Sequence, residues 1–217
     1  MVVTILVTTL GFDADLILRE LSKSLDIKHI ICFSLWVDEA SFKRVQSAFN
    51  TIKFFVEKLG GKAELRYFVM GKGLIRSILN ELEKIASEAK DVIVMNLTGG
   101  PRLLVVATII ALLMLDSRFA EKIILSVEGE TFEGSLEISL KLMKSLLRLD
   151  DDSEKIFRTI LIRGRMTASE VSRETGIPKS TTYKKLRELA QMGLLILVGK
   201  EKGEEYSINP ELSMVLF

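Results

Sequence analysis

The chain has 217 residues, enough for a medium domain plus a small one, and with 48% of them hydrophobic and 27% charged it reads as a globular protein and not a disordered one. Thirty Lys and Arg stand against 29 Asp and Glu, so overall charge gives no sign of a nucleic-acid partner and any basic surface has to be local. The single cysteine, Cys32, excludes an intramolecular disulfide and fits a reducing, cytoplasmic interior.

Residues 2–7 (VVTILV) read as a strand rather than a signal peptide, because no basic leader precedes them and a charged amphipathic segment follows at once. Thr8, Thr9, Leu10, Gly11 and Phe12 make the turn into a helix over about 13–25. Residues 28–35 (KHIICFSL) form a second strand, in which His29 reads as a packed core residue rather than a base or ligand. A loop at 36–39 leads into a long amphipathic helix, with Phe42, Val45, Phe49, Ile52 and Val56 at helical spacing and Gly60 and Gly61 as its stop. A third strand over 64–70 and a helix over 74–89 follow.

Residues 92–97 (VIVMNL) are an apolar, β-branched run suited to a strand buried on both faces of a parallel sheet. Thr98 ends it. Gly99 and Gly100 allow a tight turn and the close approach of another molecule, and Pro101 suits the first turn of the helix over 103–115. A helix N-terminus thus falls at the carboxyl end of a central strand, where free N–H groups, the Thr98 hydroxyl and the Arg102 guanidinium favour an anion, most simply a phosphate. The bland alternative is a glycine turn with no ligand. That helix is shorter than the roughly 20 residues needed to span a bilayer, so no membrane partner is expected.

Residues 122–127 read as a fifth strand and 136–142 (LEISLKL), which alternate apolar and polar, as a sixth at a sheet edge. The alternation predicts an α/β fold: a Rossmann-like, doubly wound, mostly parallel six-stranded sheet over 1–142. In that fold ligands bind outside the carboxyl ends of the strands where strand order reverses, which would bring the turns at 8–12 and 98–102 together.

A linker over 143–152 and a second domain over 153–217 follow, with Ser153 as the cap of its first helix. Thr167 and Glu170 make a capping box, Gly176, Ile177 and Pro178 a turn, and 179–193 a second helix, the spacing of a helix-turn-helix. Two short strands around 199–204 give a wing, so the domain reads as a winged helix-turn-helix that binds double-stranded DNA. From Lys155 to Lys200 ten Lys or Arg stand against three acids, the local excess that phosphate contacts need. The expected DNA-facing residues are Lys179, Ser180, Thr181, Thr182, Tyr183, Lys184 and Lys185, with Lys200 and Lys202 on the wing. The alternative is a winged helix used only for protein contact. No metal-ligand spacing, nucleophile motif or Walker pattern occurs, so neither a metal nor a catalytic residue is predicted.

The run Asn96, Leu97, Thr98, Gly99, Gly100, Pro101, Arg102 resembles the signature of CRISPR-associated Rossmann fold (CARF) domains: Asp or Asn, an apolar residue, Thr, any residue, Gly, any residue, then Arg or Lys. Asn96 stands where many of these regulators have Asp. The opening VTTLGFDADLILREL is similar to the first strand and turn of archaeal CRISPR-locus transcription regulators, which add a C-terminal winged helix. The resemblance implies a homodimer that holds a cyclic oligoadenylate, the four-adenylate ring above all, on its two-fold axis and acts on promoters of CRISPR-associated genes or arrays. The binding residues it implies are Thr8, Thr9, Leu10, Gly11, Phe12, Asn96, Thr98, Gly99, Gly100, Pro101 and Arg102. It also implies a rival: a metal-independent ring nuclease in which Thr8, Thr9, Thr98 and Arg102 align a ribose 2′-OH for attack.

Overall fold

In the computed structural model, which describes residues 4–23, 27–129, 134–199 and 204–212, strand β1 (Thr4–Thr9) lies between two parallel neighbours. Val7 pairs with Ile31 of β2 (Ile27–Trp36) on one side and with Met95 of β4 (Ile93–Asn96) on the other. With β3 (Lys62–Val69), β5 (Ile123–Glu128) and β6 (Ser135–Ser139), the sheet order is β3-β2-β1-β4-β5-β6, parallel except for the antiparallel β5 and β6 pair. The chain winds outward from β1 to β3 and then returns to place β4 beside β1. Strand order reverses there, and the carboxyl ends of β1 and β4 flank the reversal.

Side chains two apart on a strand share a face, so Leu6 and Leu10 point the same way. They join Ile17 and Leu21 of α1 (Asp15–Lys23) and Val45, Phe49 and Ile52 of α2 (Glu39–Lys58) in one buried cluster. Burial of each such side chain contributes about 1.5–3 kcal/mol before chain entropy is counted. Helices α3 (Leu74–Glu88) and α4 (Arg102–Met114) pack on each other and bury Ile78, Leu82, Leu104 and Leu112. No described helix is long and apolar enough to cross a membrane.

Three sequence expectations need correction in this unit. Thr8 and Thr9 belong to β1 and not to the turn, since both pair with Cys32 and Phe33 of β2. His29 is half-buried rather than packed in the core, with Nε2 2.8 Å from Glu64 Oε1. The same Glu64 carboxylate contacts Lys62 at 2.5 Å and Arg66, and these cations, Lys62 first, hold its pKa down at about 2. Third, the sixth strand stops at Ser139 and helix α5 (Leu140–Leu146) begins, where alternation predicted strand to 142 and linker beyond. Leu140, Met143 and Leu147 also stand three and four apart, so one segment carries both periods.

The chain divides into two units at 140/141. In the second, α6 (Asp151–Arg163) is capped by Asp150, whose carboxylate accepts from Ser153 N at 2.9 Å, so the cap is three residues ahead of the predicted Ser153. Helix α7 (Ala168–Thr175) carries the Thr167 and Glu170 capping box, and α8 (Lys179–Gln191) follows after the left-handed Gly176. Strands β8 (Leu195–Gly199) and β9 (Glu205–Ile208) form the hairpin, and a two-residue β7 (Met166–Thr167) extends it in the order β7-β9-β8. Ile156, Phe157, Ile160, Val171, Leu186 and Leu189 are buried where α6, α7 and α8 pack. This is a winged helix.

Candidate functional site

The two glycine turns touch. A Cβ on Gly11 would lie 3.4 Å from Gly100 Cα, and one on Gly100, where φ is +86°, would lie 2.9 Å from Thr9 Cβ and 3.0 Å from its carbonyl carbon. The Thr9 hydroxyl donates to the Gly99 carbonyl at 2.5 Å and clamps the end of β1 to the turn after β4. The glycines therefore first serve this chain's own close approach, which their lack of a Cβ permits.

Beside the contact lies a pocket of about 520 Å³, floored by Ser34, Leu35 and Val45 and walled by Gly11, Phe12, Asp13, Leu16, Val37, Ser41, Gly99, Gly100 and Pro101. It opens at the carboxyl ends of β1, β2 and β4. Most of these side chains are apolar. Ser34 is turned to its own chain, donating to the Leu10 carbonyl at 3.0 Å, while Phe12 is 50% exposed at the rim with the Arg44 guanidinium 3.9 Å above its ring. Helix α4 starts at Arg102, with Pro101 as its N-cap rather than its first residue and no side chain capping it. The first-turn N–H groups of α4 thus lack a side-chain acceptor, beside the exposed Arg102.

Of the eleven residues expected to bind ligand, Gly11, Phe12, Gly99, Gly100 and Pro101 line the pocket and Arg102 stands exposed beside it. The others do not reach it. Leu10 is core, Asn96 is buried with its Oδ1 accepting from Thr98 N at 3.0 Å, and Thr98 Oγ1 accepts from Glu128 N at 2.8 Å. Thr8 is buried within the sheet, where its hydroxyl has no partner among the described residues. Pleat and register turn Thr8 and Asn96 into the sheet, and for Thr8 a two-residue shift in the predicted end of the first strand concealed this. Sequence reasoning missed Asp13, Leu16, Ser34, Leu35, Val37, Ser41 and Val45; for the last five the signal available was the loop at the carboxyl end of the second strand, a neighbour of β1.

On the winged helix, α8 exposes Lys179, Ser180, Tyr183 and Lys184 and leaves Thr181 half-buried. Thr182 is buried, its hydroxyl donating to the Ile177 carbonyl at 3.1 Å to close the turn between the helices, so it is withdrawn from the reading surface. Lys185 is half-buried, with Nζ 2.6 Å from Asp150 Oδ2 and 3.4 Å from Glu188 Oε2, which makes it a tie between α8 and the cap of α6. The Lys185 ammonium is the main cause of an Asp150 pKa of about 2, and the carboxylate in turn raises that of Lys185. Among the described residues Lys184 reaches only Glu188, at 3.8 Å. Lys200 and Lys202 lie outside the described residues.

A family model described as the Csa3 CRISPR-associated Rossmann-like domain matches residues 4–139, and one described as the sugar-specific transcriptional regulator TrmB matches 146–210. No curated protein sequence matches the chain. The second match covers the winged helix alone, so the sugar in its description does not bear on the pocket of the other unit.

Proposed function

Since the chain belongs to the family of the Csa3 CRISPR-associated Rossmann-like domain and carries a DNA-binding winged helix behind it, it is a CRISPR-associated transcription regulator, and we propose that a cyclic oligoadenylate controls it. The observation that carries this reading is the contact of two glycine turns at the strand-order reversal, with a 520 Å³ apolar pocket on one side and an uncapped helix start on the other. An adenine ring has the planar, apolar body that such a pocket takes, with Phe12 at its mouth. The adjoining phosphate meets the first-turn N–H groups of α4 and the Arg102 guanidinium.

A homodimer completes the site. Helix α4 is apolar on every face, yet Leu103, Val106, Ile110 and Met114, spaced three and four apart, are left exposed along one stripe. Paired across a two-fold axis, two such stripes cover each other and offer equivalent residues to a symmetric four-adenylate ring. The hydroxyls that ring cleavage needs are occupied or buried: Thr9 binds Gly99, Thr98 binds Glu128, and Thr8 lies within the sheet. Sensing is therefore favoured over cleavage.

Titration calorimetry with cyclic tetra-adenylate tests the reading. Wild type should bind, Arg102→Ala should bind more weakly by about 1.5–3 kcal/mol, the range for a charge-assisted hydrogen bond, and the ring should be recovered intact. No heat with the wild type removes the ligand; linear product after incubation establishes the nuclease instead.

A further inference from the structure

On α8 the residues at 180, 183, 184 and 187 share one outward face, opposite the buried Thr182, Leu186 and Leu189. Sequence reasoning ended the reading surface at Lys185. The structure carries it a turn further, because Lys185 is turned aside to Asp150 while Arg187 is exposed on the face of Ser180 and Tyr183. We propose that Arg187 is the base-reading residue of the recognition helix and that Tyr183 positions it. This rests on DNA binding by α8.

Three observations bear on Arg187, and the second sets it apart from Lys184 and Lys185. Its guanidinium lies 5.6 Å from the centroid of the Tyr183 ring, within cation–π range, so the ring limits the directions in which the fork can point. No described carboxylate pairs with it, whereas Lys184 and Lys185 both have acidic neighbours. It also borders a pocket of about 320 Å³ beside the wing hairpin, lined with it by Leu197, Tyr206 and Glu204, whose carboxylate accepts from the Tyr206 hydroxyl at 2.9 Å. A planar fork with five donors can bond both O6 and N7 of a guanine in the major groove, whereas a lysine supplies a point charge. Lys184 on the same face and Lys179 at the start of the helix then serve as phosphate contacts that set the register.

The test is selection of binding sites from a randomised DNA duplex library by the full chain, followed by binding isotherms over a range of salt. Wild type should enrich a consensus. Arg187→Lys should lose preference, by roughly 5- to 150-fold, at one position of it while keeping the salt slope. Tyr183→Ala should weaken the same position and Tyr183→Phe, which keeps the ring face, should not. Lys184→Ala should keep the consensus and lower the salt slope by about one. An Arg187→Lys consensus identical to that of wild type overturns the assignment of Arg187. A wild type that enriches no consensus overturns base reading by α8 as well, and the two failures are thus distinct.

Discussion

Gly100 is the residue whose role changes most between sequence and structure. In the sequence it marks a turn that a ligand's backbone could approach; in the fold it is Thr9 that approaches it, and a Cβ at φ +86° would stand 2.9 Å from the Thr9 Cβ. Gly100→Ala is therefore expected to lower stability by about 1–3 kcal/mol in urea denaturation even without ligand; an unchanged midpoint would mean that the turn is not pressed against β1. At Lys185 the tie to Asp150 predicts a different outcome from that at Lys184. Lys185→Ala should destabilise the winged helix and alter the salt slope little. Asp150 has a folded pKa below its ordinary value, so its contribution is complete above about pH 4 and is lost as pH falls towards 2. Asp150→Asn keeps a capping side chain, and its urea midpoint should fall below that of wild type at pH 7 and converge with it near pH 2. A difference that persists at pH 2 would assign the effect to something other than this charge.

Helix α4 leaves four large apolar side chains exposed along one stripe. Its exposed stripe predicts that Val106→Glu, at a position 54% exposed, leaves the fold intact and turns a dimer into a monomer in light scattering. A monomeric wild type, or a variant that stays dimeric, would remove α4 as the interface. The central strands were legible because residues 92–97 are apolar on both faces, and the capping box at Thr167 and Glu170 was legible because its spacing has one local meaning. Helix α5 was not, since LKLMKSLL satisfies both a period of two and a period of 3.6 and only tertiary packing decides. The two-residue β7 is too short to leave any periodic signal. Part of the pocket lining was hidden for another reason: Val37, Ser41 and Val45 carry no motif, and only the sheet order puts the end of β2 beside the end of β1.

Across the whole molecule, a ligand in the first unit can change DNA binding only if it binds more tightly to the arrangement that DNA also prefers. Two recognition helices in a dimer reach successive major grooves when they are about 34 Å apart, so a modest change of spacing is enough to alter affinity. Such coupling is reciprocal by thermodynamic necessity. The direct measurement is cyclic tetra-adenylate affinity by calorimetry, with and without a duplex carrying the selected consensus, alongside duplex affinity with and without the ring. A ligand-controlled regulator requires the two ratios to be equal and to differ from one, by about 5- to 150-fold for ordinary coupling. Ring affinity that is the same with and without DNA would contradict it, leaving a nucleotide-binding unit and a DNA-binding unit that share a chain but no control.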